Sequence, residues 1–461
     1  MEPASLELQA FGAGDELDAL GETRQVKYAR RYLTGLGATS TLVEPHYFDR
    51  DYLAEHSAFY SLSTRGYPNH CRRLHFFKGE PLTRQRLELV AAGDAKACTD
   101  LQDDYLGFIV VRPIVSAPFG RTVLKWWDDG APMTPRVTHP SRKYTAHLLG
   151  QELRVEGLAW QQQDTGVGGC ATVALWSMLH SSALDEHHAI PTTVSITQRA
   201  HRTASLGSRV FPSPGLTLFQ ISEAIKESGL EPLPIEGDLS GTLGRQPFSR
   251  DVFAVHVSAL LRSGYPVLLS GELEGNGLHA VCAVGFREAT ASPAPAGKLA
   301  YQDEETPFFY VHDDNIGPNV RMAMTTTGAD KRVVLRPSAP PLGGSANDDA
   351  TKGYPGFVPY MLLAAVPDTL RVSAGVLHGA CIKVGRGLLS VFEQAAKAQG
   401  TTNAVGLTVS SRFMKVADYI GNELARLLGA QPAVLAAVRL ALIEEVVPMS
   451  LHVGVARIGV G

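Results

Sequence analysis

The sequence predicts an α+β protein, and two observations carry that prediction. In the middle of the chain, helical patterns at Cys170–Leu179, Leu218–Ser228 and Ser249–Ser263 come first and strand-like segments follow, which is the segregated order of an α+β unit. Ahead of them both patterns mix, and behind them helical patterns dominate. The chain divides accordingly into an N-terminal α+β domain at 1–150, a second domain at 151–335 built as a helical half followed by an antiparallel sheet half, a Pro/Gly-rich loop or linker at 336–356, and a mainly helical C-terminal region at 357–461.

In the first region, Gln25–Leu36 and Asp49–Tyr60 carry helical spacing, while Tyr105–Pro113 and Arg121–Trp127 read as strands bounded by turn residues. The cluster Asn69–His75 holds one cysteine and two histidines with no partner cluster, so it reads as structural rather than as a metal site. In the second region, Ala171, Ala174, Leu175, Met178 and Leu179 recur at helical spacing and place one face of the Cys170 helix in the core. Tyr265–Ser270 and Leu278–Phe286 read as two strands joined by the Gly-rich turn Gly271–Gly277, which sets His279 at a strand mouth. Phe308–Pro318 is a strand ending in His312, Asp313 and Asp314 and a Gly-Pro turn, and Ala289–Lys298 reads as an inserted surface loop. Asp185–His188 reads as a solvated loop. Arg336–Asp349 reads as a mobile loop or linker, and Tyr360–Val366 as a strand that can return to the sheet of the second region. Helical patterns follow at Gly387–Gln399, Ser411–Leu428 and Ala433–Glu445, then a strand at Ser450–Ile458.

Composition narrows the function. With 44% hydrophobic and 19% charged residues the 461-residue chain is of ordinary globular type, and a net charge of −4 with no basic stripe argues against nucleic-acid binding. The N-terminus lacks the basic and apolar blocks of a secretory signal. The nearest approach to a membrane span, Pro432–Val447, is broken by Arg439, Glu444 and Glu445. Five scattered cysteines suit reduced thiols, so the expectation is a cytoplasmic protein without a membrane partner.

Cys170 stands behind Gly168 and Gly169 at the start of a helix, where unpaired backbone N–H groups and the helix dipole favour thiolate over thiol. A thiolate that attacks a carbonyl needs a base, a group that orients the base, and donors for the oxyanion. His279 is the candidate base. Asp313 or Asp314 is the candidate orienter, and regular strand alternation sends the two to opposite faces, so one of them is expected to reach His279. The Cys170 N–H and one of Gln161, Gln162 and Gln163 are the candidate oxyanion donors. His312–Asp314 also invites a metal reading, set aside because a second ligand cluster is missing.

Three blocks, Gln163 through Cys170 into a helix, Gly277–Val281 opening a strand, and His312–Pro318, resemble in order the papain-like cysteine peptidase superfamily, and within it the bacterial bacteriocin-processing type, the double-glycine leader peptidases. The resemblance implies a papain-like fold for the catalytic domain, Cys170 as nucleophile, His279 as base and acid, Asp313 or Asp314 as orienter and an upstream glutamine as oxyanion donor. Gln163 precedes Cys170 by seven positions, one more than the superfamily's usual interval, so a bulge in the glycine turn is needed to bring it in. The expected activity is cleavage of a peptide or amide bond in a peptide or protein substrate through a Cys170 acyl-enzyme, with no cofactor. The same acyl-enzyme resolved by an amine makes an acyltransferase, amidase or transglutaminase-like enzyme, and the same residues without turnover make a binding or scaffold protein. The N-terminal region is left open to delivering substrate, covering the cleft or binding a regulatory protein.

Overall fold

The computed structural model describes residues 6–127, 136–138, 140–184, 188–202, 210–213, 215–288, 294–338, 349–370, 372–402, 404–444 and 450–460. Asp185, Glu186 and His187, the start of the Ala289–Lys298 segment and residues 339–348 of the expected linker lie outside these.

The N-terminal region forms a five-stranded antiparallel sheet in the order Glu7–Ala10, Ala38–Tyr47, Cys71–Lys78, Tyr105–Val111 and Phe119–Leu124. Helices Arg24–Gly35 and Arg50–Ala58 connect its first strands, each started by a side-chain cap, Thr23 onto the Val26 N–H and Asp49 onto the Asp51 and Tyr52 N–H groups. A separate hairpin, Arg142–Leu148 with Gln151–Gly157, leads into the Cys170 segment.

The papain-like fold expected for the second region is not what the chain adopts. Strands Val267–Leu273, Gly277–Arg287, Phe308–Asp313, Gly317–Thr327, Arg332–Pro337 and Phe357–Val366 pair in that order, and the last pairs back onto the first, closing a six-stranded antiparallel β-barrel. Glu231–Glu236 adds a strand outside the ring, on Phe357–Val366. The closing element is the physical reason for the difference. Phe357–Val366 is buried along nearly its whole length, and an apolar run of that kind reads the same in an open sheet as in a closed one. Only its long-range register, Leu268 opposite Leu363 and Ser270 opposite Met361, decides between them.

The C-terminal region is also less helical than expected. It opens with the barrel-closing strand and contributes Leu407–Lys415 and His452–Val460 to a three-stranded sheet with Leu299–Tyr301. The pattern expected to be one helix over Ser411–Leu428 is a strand through Lys415 followed by short helical turns. The helical pattern at Gly387–Gln399 is the second half of one 25-residue helix, Ala374–Ala398. Among the described residues this helix alone is long and apolar enough to cross a membrane. One stripe of it, including Leu377, Cys381 and Leu389, is buried, while Val376, Val384 and Val391 face outward.

One continuous apolar core runs from Leu17 in the N-terminal region through the Cys170 helix and the barrel to Phe413. The Cys170–Met178 helix packs on strand Gly277–Arg287, and every residue after Cys170 in it is buried, Thr172 and Ser177 included. It is therefore surrounded on all sides rather than one-sided. Because Gly277–Arg287 and Phe308–Asp313 run antiparallel, the start of the first and the end of the second meet at the same barrel mouth.

Candidate active site

The segment entering the Cys170 helix is held before it turns. Trp160 exchanges two backbone hydrogen bonds with Thr122 on the edge strand of the N-terminal sheet, at 2.8 and 3.0 Å. Its indole N–H donates to the Asp313 carbonyl at 3.1 Å. Asp164 then folds the glycine turn around its own carboxylate, where Oδ1 accepts from the N–H groups of Gly166 at 2.7 Å, Val167 at 2.6 Å and Gly168 at 3.3 Å. A Cβ on Gly166 would lie 2.6 Å from the Phe59 ring, so this position requires glycine by close approach. Gly169 is the extended N-cap residue and Cys170 the first helical residue. Its backbone N–H lies in the turn that has no intrahelical acceptor.

Asp164 is itself anchored. Arg112, 2% exposed, donates from Nη1 to Glu55 Oε2 at 3.0 Å and to Asp164 Oδ2 at 3.4 Å, and from Nη2 to the carbonyls of Gln162 and Ala117 at 2.9 and 3.0 Å. Glu55 also accepts from Gln161 Nε2 and Thr193 Oγ1, both at 2.8 Å. Burial pushes the Glu55 carboxyl up to about 7, with Arg112 opposing and Asp164 adding to the rise.

The three glutamines therefore part ways. Gln161 faces Glu55, Gln162 accepts from the Phe119 N–H at 3.3 Å, and only Gln163 turns to the barrel mouth, where its Nε2 donates to Asn315 Oδ1 at 3.3 Å.

At the mouth, His279 is 5% exposed and stands between sulfur and carboxylate. The Cys170 side chain stands near enough to the imidazole to favour its charged form. On the acid side, Nε2 lies 3.2 Å from Asp313 Oδ1 and 3.5 Å from Asp314 Oδ1. Both acids reach the ring, contrary to the alternation expected of a regular strand. The register shifts between Val311 and Asp313, and the strand ends at Asp313, so the pleat no longer separates the two side chains.

Asp313 is the more fully held. Its Oδ1 also accepts from the Asn315 N–H at 2.9 Å, and its Oδ2 accepts from the Tyr354 hydroxyl at 2.9 Å. Asn315 Nδ2 lies 3.4 Å from His279 Nε2 and 3.3 Å from the Tyr354 oxygen. Asp314 has its carbonyl bonded by Gln25 Nε2 at 3.1 Å, but its Oδ2 is buried without a hydrogen-bond partner among the described residues. Burial drives the His279 imidazole down, yet the charges of Asp313 and Asp314, the bond to Asp313 and the nearby Cys170 side chain outweigh it and hold the ring well above its ordinary value. Burial, with the Asp313 charge, pushes the Asp314 carboxyl up to about 7 against the pull of His279.

His312 takes no part. Its Nε2 donates to the Leu158 carbonyl at 3.0 Å and its Nδ1 accepts from the Asn319 N–H at 3.0 Å, and burial lowers its pKa to about 3. The remaining thiols are differently placed: Cys71, Cys282 and Cys381 are buried and burial raises all three, while Cys98 is half-buried with its thiol near the Val90 carbonyl. A cavity of about 800 Å³ bordered by Arg136, Glu288, Arg412 and Arg457 shares no residue with this site.

Glu55, Arg112, Asp164, Asn315 and Tyr354 were not singled out from sequence. The sequence does carry faint signals for some of them: Arg112 is a charge directly after the apolar strand Tyr105–Val111, and Asp164 begins the Gly-rich stretch. Tyr354 sits in what reads as linker, and nothing local marks it. No protein-family model and no curated protein matches this chain.

Proposed function

We propose that the protein is a thiol hydrolase that cleaves a peptide or amide bond through an acyl-enzyme on Cys170. The observation that carries this reading is a buried imidazole bonded to an anchored carboxylate, with a half-exposed thiol at a helix start near enough to favour its charged form. In this reading His279 takes the Cys170 proton, and the thiolate adds to the substrate carbonyl. The developing oxyanion is met by the Cys170 backbone N–H. His279 then returns the proton to the leaving amine as the C–N bond breaks. Water, deprotonated by the same ring, adds to the thioester, and the acid product leaves with the Cys170 thiol restored. Asp313 orients the ring through Nε2 and stabilises its charged form, and Tyr354 and the Asn315 N–H hold Asp313 in turn.

The test is to incubate the protein with activated amide and ester acyl probes, then map the acylated residue by mass spectrometry and follow release of the leaving group. The reading predicts an acyl group on Cys170 that turns over in water, with release abolished by Cys170→Ala. Acylation spread over Cys98 and Cys170 alike, unaffected by His279→Ala, would instead favour a binding protein that keeps these residues without turnover.

A further inference from the structure

His279, Asp313 and Asp314 are all buried, and one ligating atom from each lies within 4.8 Å of the others. Two carboxylates face one imidazole nitrogen, and among the described residues the ion pairs of both are with His279 alone. Asp313 is steadied by the Asn315 N–H and the Tyr354 hydroxyl, whereas Asp314, 3% exposed, has an Oδ2 with no hydrogen-bond partner among the described residues. An unpaired carboxylate oxygen at that depth is costly unless something cationic meets it.

We propose that this acid side of His279 is a binding site for a divalent ion of the zinc class, ligated by His279 Nε2, Asp313 and Asp314, and that its occupation switches the thiol site off. The spacing fits. Ligand bonds of about 2.0–2.2 Å in a tetrahedron put donors about 3.3–3.6 Å apart, and Nε2 stands 3.2 and 3.5 Å from the two carboxylate oxygens. One nitrogen and two carboxylate oxygens are ligands that suit this class of ion. The supporting shell that ligating carboxylates need is present, with the Tyr354 hydroxyl and the Asn315 N–H on Asp313. The His312–Asp314 sequence holds two of the three ligands but names the wrong histidine: His312 is committed to Leu158 and Asn319, and His279 arrives from the neighbouring strand.

An ion on Nε2 removes the proton through which Asp313 stabilises the charged ring, so His279 can no longer serve Cys170 as a base. That consequence rests on the thiol-hydrolase reading, whereas the binding itself does not. The experiment titrates zinc into chelator-stripped full-length protein against a chromophoric competitor and follows acyl labelling of Cys170 in parallel. Expected are one equivalent bound by the parent and by Cys170→Ala, binding at least about tenfold weaker in Asp314→Asn, and slowed Cys170 labelling in the zinc-loaded parent. X-ray absorption on the zinc-loaded parent, which needs no variant to fold, is expected to show nitrogen and oxygen neighbours at about 2.0–2.2 Å. A sulfur neighbour at about 2.3 Å, or Asp314→Asn binding as tightly as the parent, overturns the site. Labelling that ignores both zinc and His279 defeats the hydrolase reading and the switch, and the titration then decides the ion site by itself.

Discussion

Two carboxylates share one imidazole nitrogen, and each has a different task. Asp313 has both oxygens engaged and holds the ring, which it keeps charged to higher pH than an ordinary histidine. The alkaline limb of the activity profile should therefore lie above the ordinary imidazole value of about 6.5, and Asp313→Asn should bring that limb down and cost at least about tenfold in turnover. A limb that stays in place would remove Asp313 from the role of orienter. The bell as a whole belongs to the Cys170–His279 pair rather than to either group. Asp314 is pushed up to about 7, above the ordinary carboxyl value. The folded protein thus holds a proton that the unfolded chain has released, so this contribution to stability is complete below about pH 4 and is lost as pH rises through about 7. Asp314→Asn should flatten urea stability across that window and leave the variant more stable than the parent at pH 8, by on the order of 1 kcal/mol. An unchanged slope between pH 4 and 7, roughly the interval between the two carboxyl values, would count against it.

The elements that position Cys170 are a loop, a helix start and an ion cluster borrowed from the N-terminal sheet. Removing the three-way acceptor with Asp164→Ala should leave Gly166, Val167 and Gly168 without their partner and leave Arg112 one of its two carboxylates, Glu55. The expected cost is about 3–5 kcal/mol, since three buried N–H groups lose their acceptor and Arg112 loses one of two counterions, and Cys170 should lose its selectivity toward acyl probes in whatever fraction folds. Gly166→Ala should destabilise by about 1–3 kcal/mol through the Phe59 ring. Thermal unfolding of both variants checks these values.

Much of this scale was legible in the sequence. The glycines before an apolar helical run, the hairpin that carries His279 and the acidic strand end are local patterns, and the structure brings Cys170, His279, Asp313 and Gln163 to one mouth. Glu55, Arg112 and Tyr354 were not legible, because their partners lie far away in the chain: Arg112 meets Asp164 across 52 positions and Tyr354 meets Asp313 across 41. Hydrophobic periodicity carries no information about such pairings. The expectation that only one of Asp313 and Asp314 reaches His279 failed for a related reason, since a register shift at a strand end is set by the neighbouring strands.

For the whole molecule, the closed barrel and the continuous core make the 151–335 region dependent on its flanks. The boundary read at 335 falls before the strand that closes the barrel, and the Trp160 and Asp164 anchors lie in the N-terminal sheet and its helices. An isolated 151–335 segment should therefore fail to fold, showing no cooperative thermal transition, whereas the full chain unfolds cooperatively. A folded and labelling-competent segment would show that the core is divisible.

The central claim is that His279 activates Cys170, and the most direct measurement is the alkylation rate of each cysteine in the native protein as a function of pH, read by mass spectrometry. The account predicts that near pH 6 Cys170 reacts at least about tenfold faster than the other half-buried thiol, Cys98, and that His279→Ala abolishes the difference. Equal rates at the two cysteines, or a Cys170 rate that does not change without His279, would contradict it.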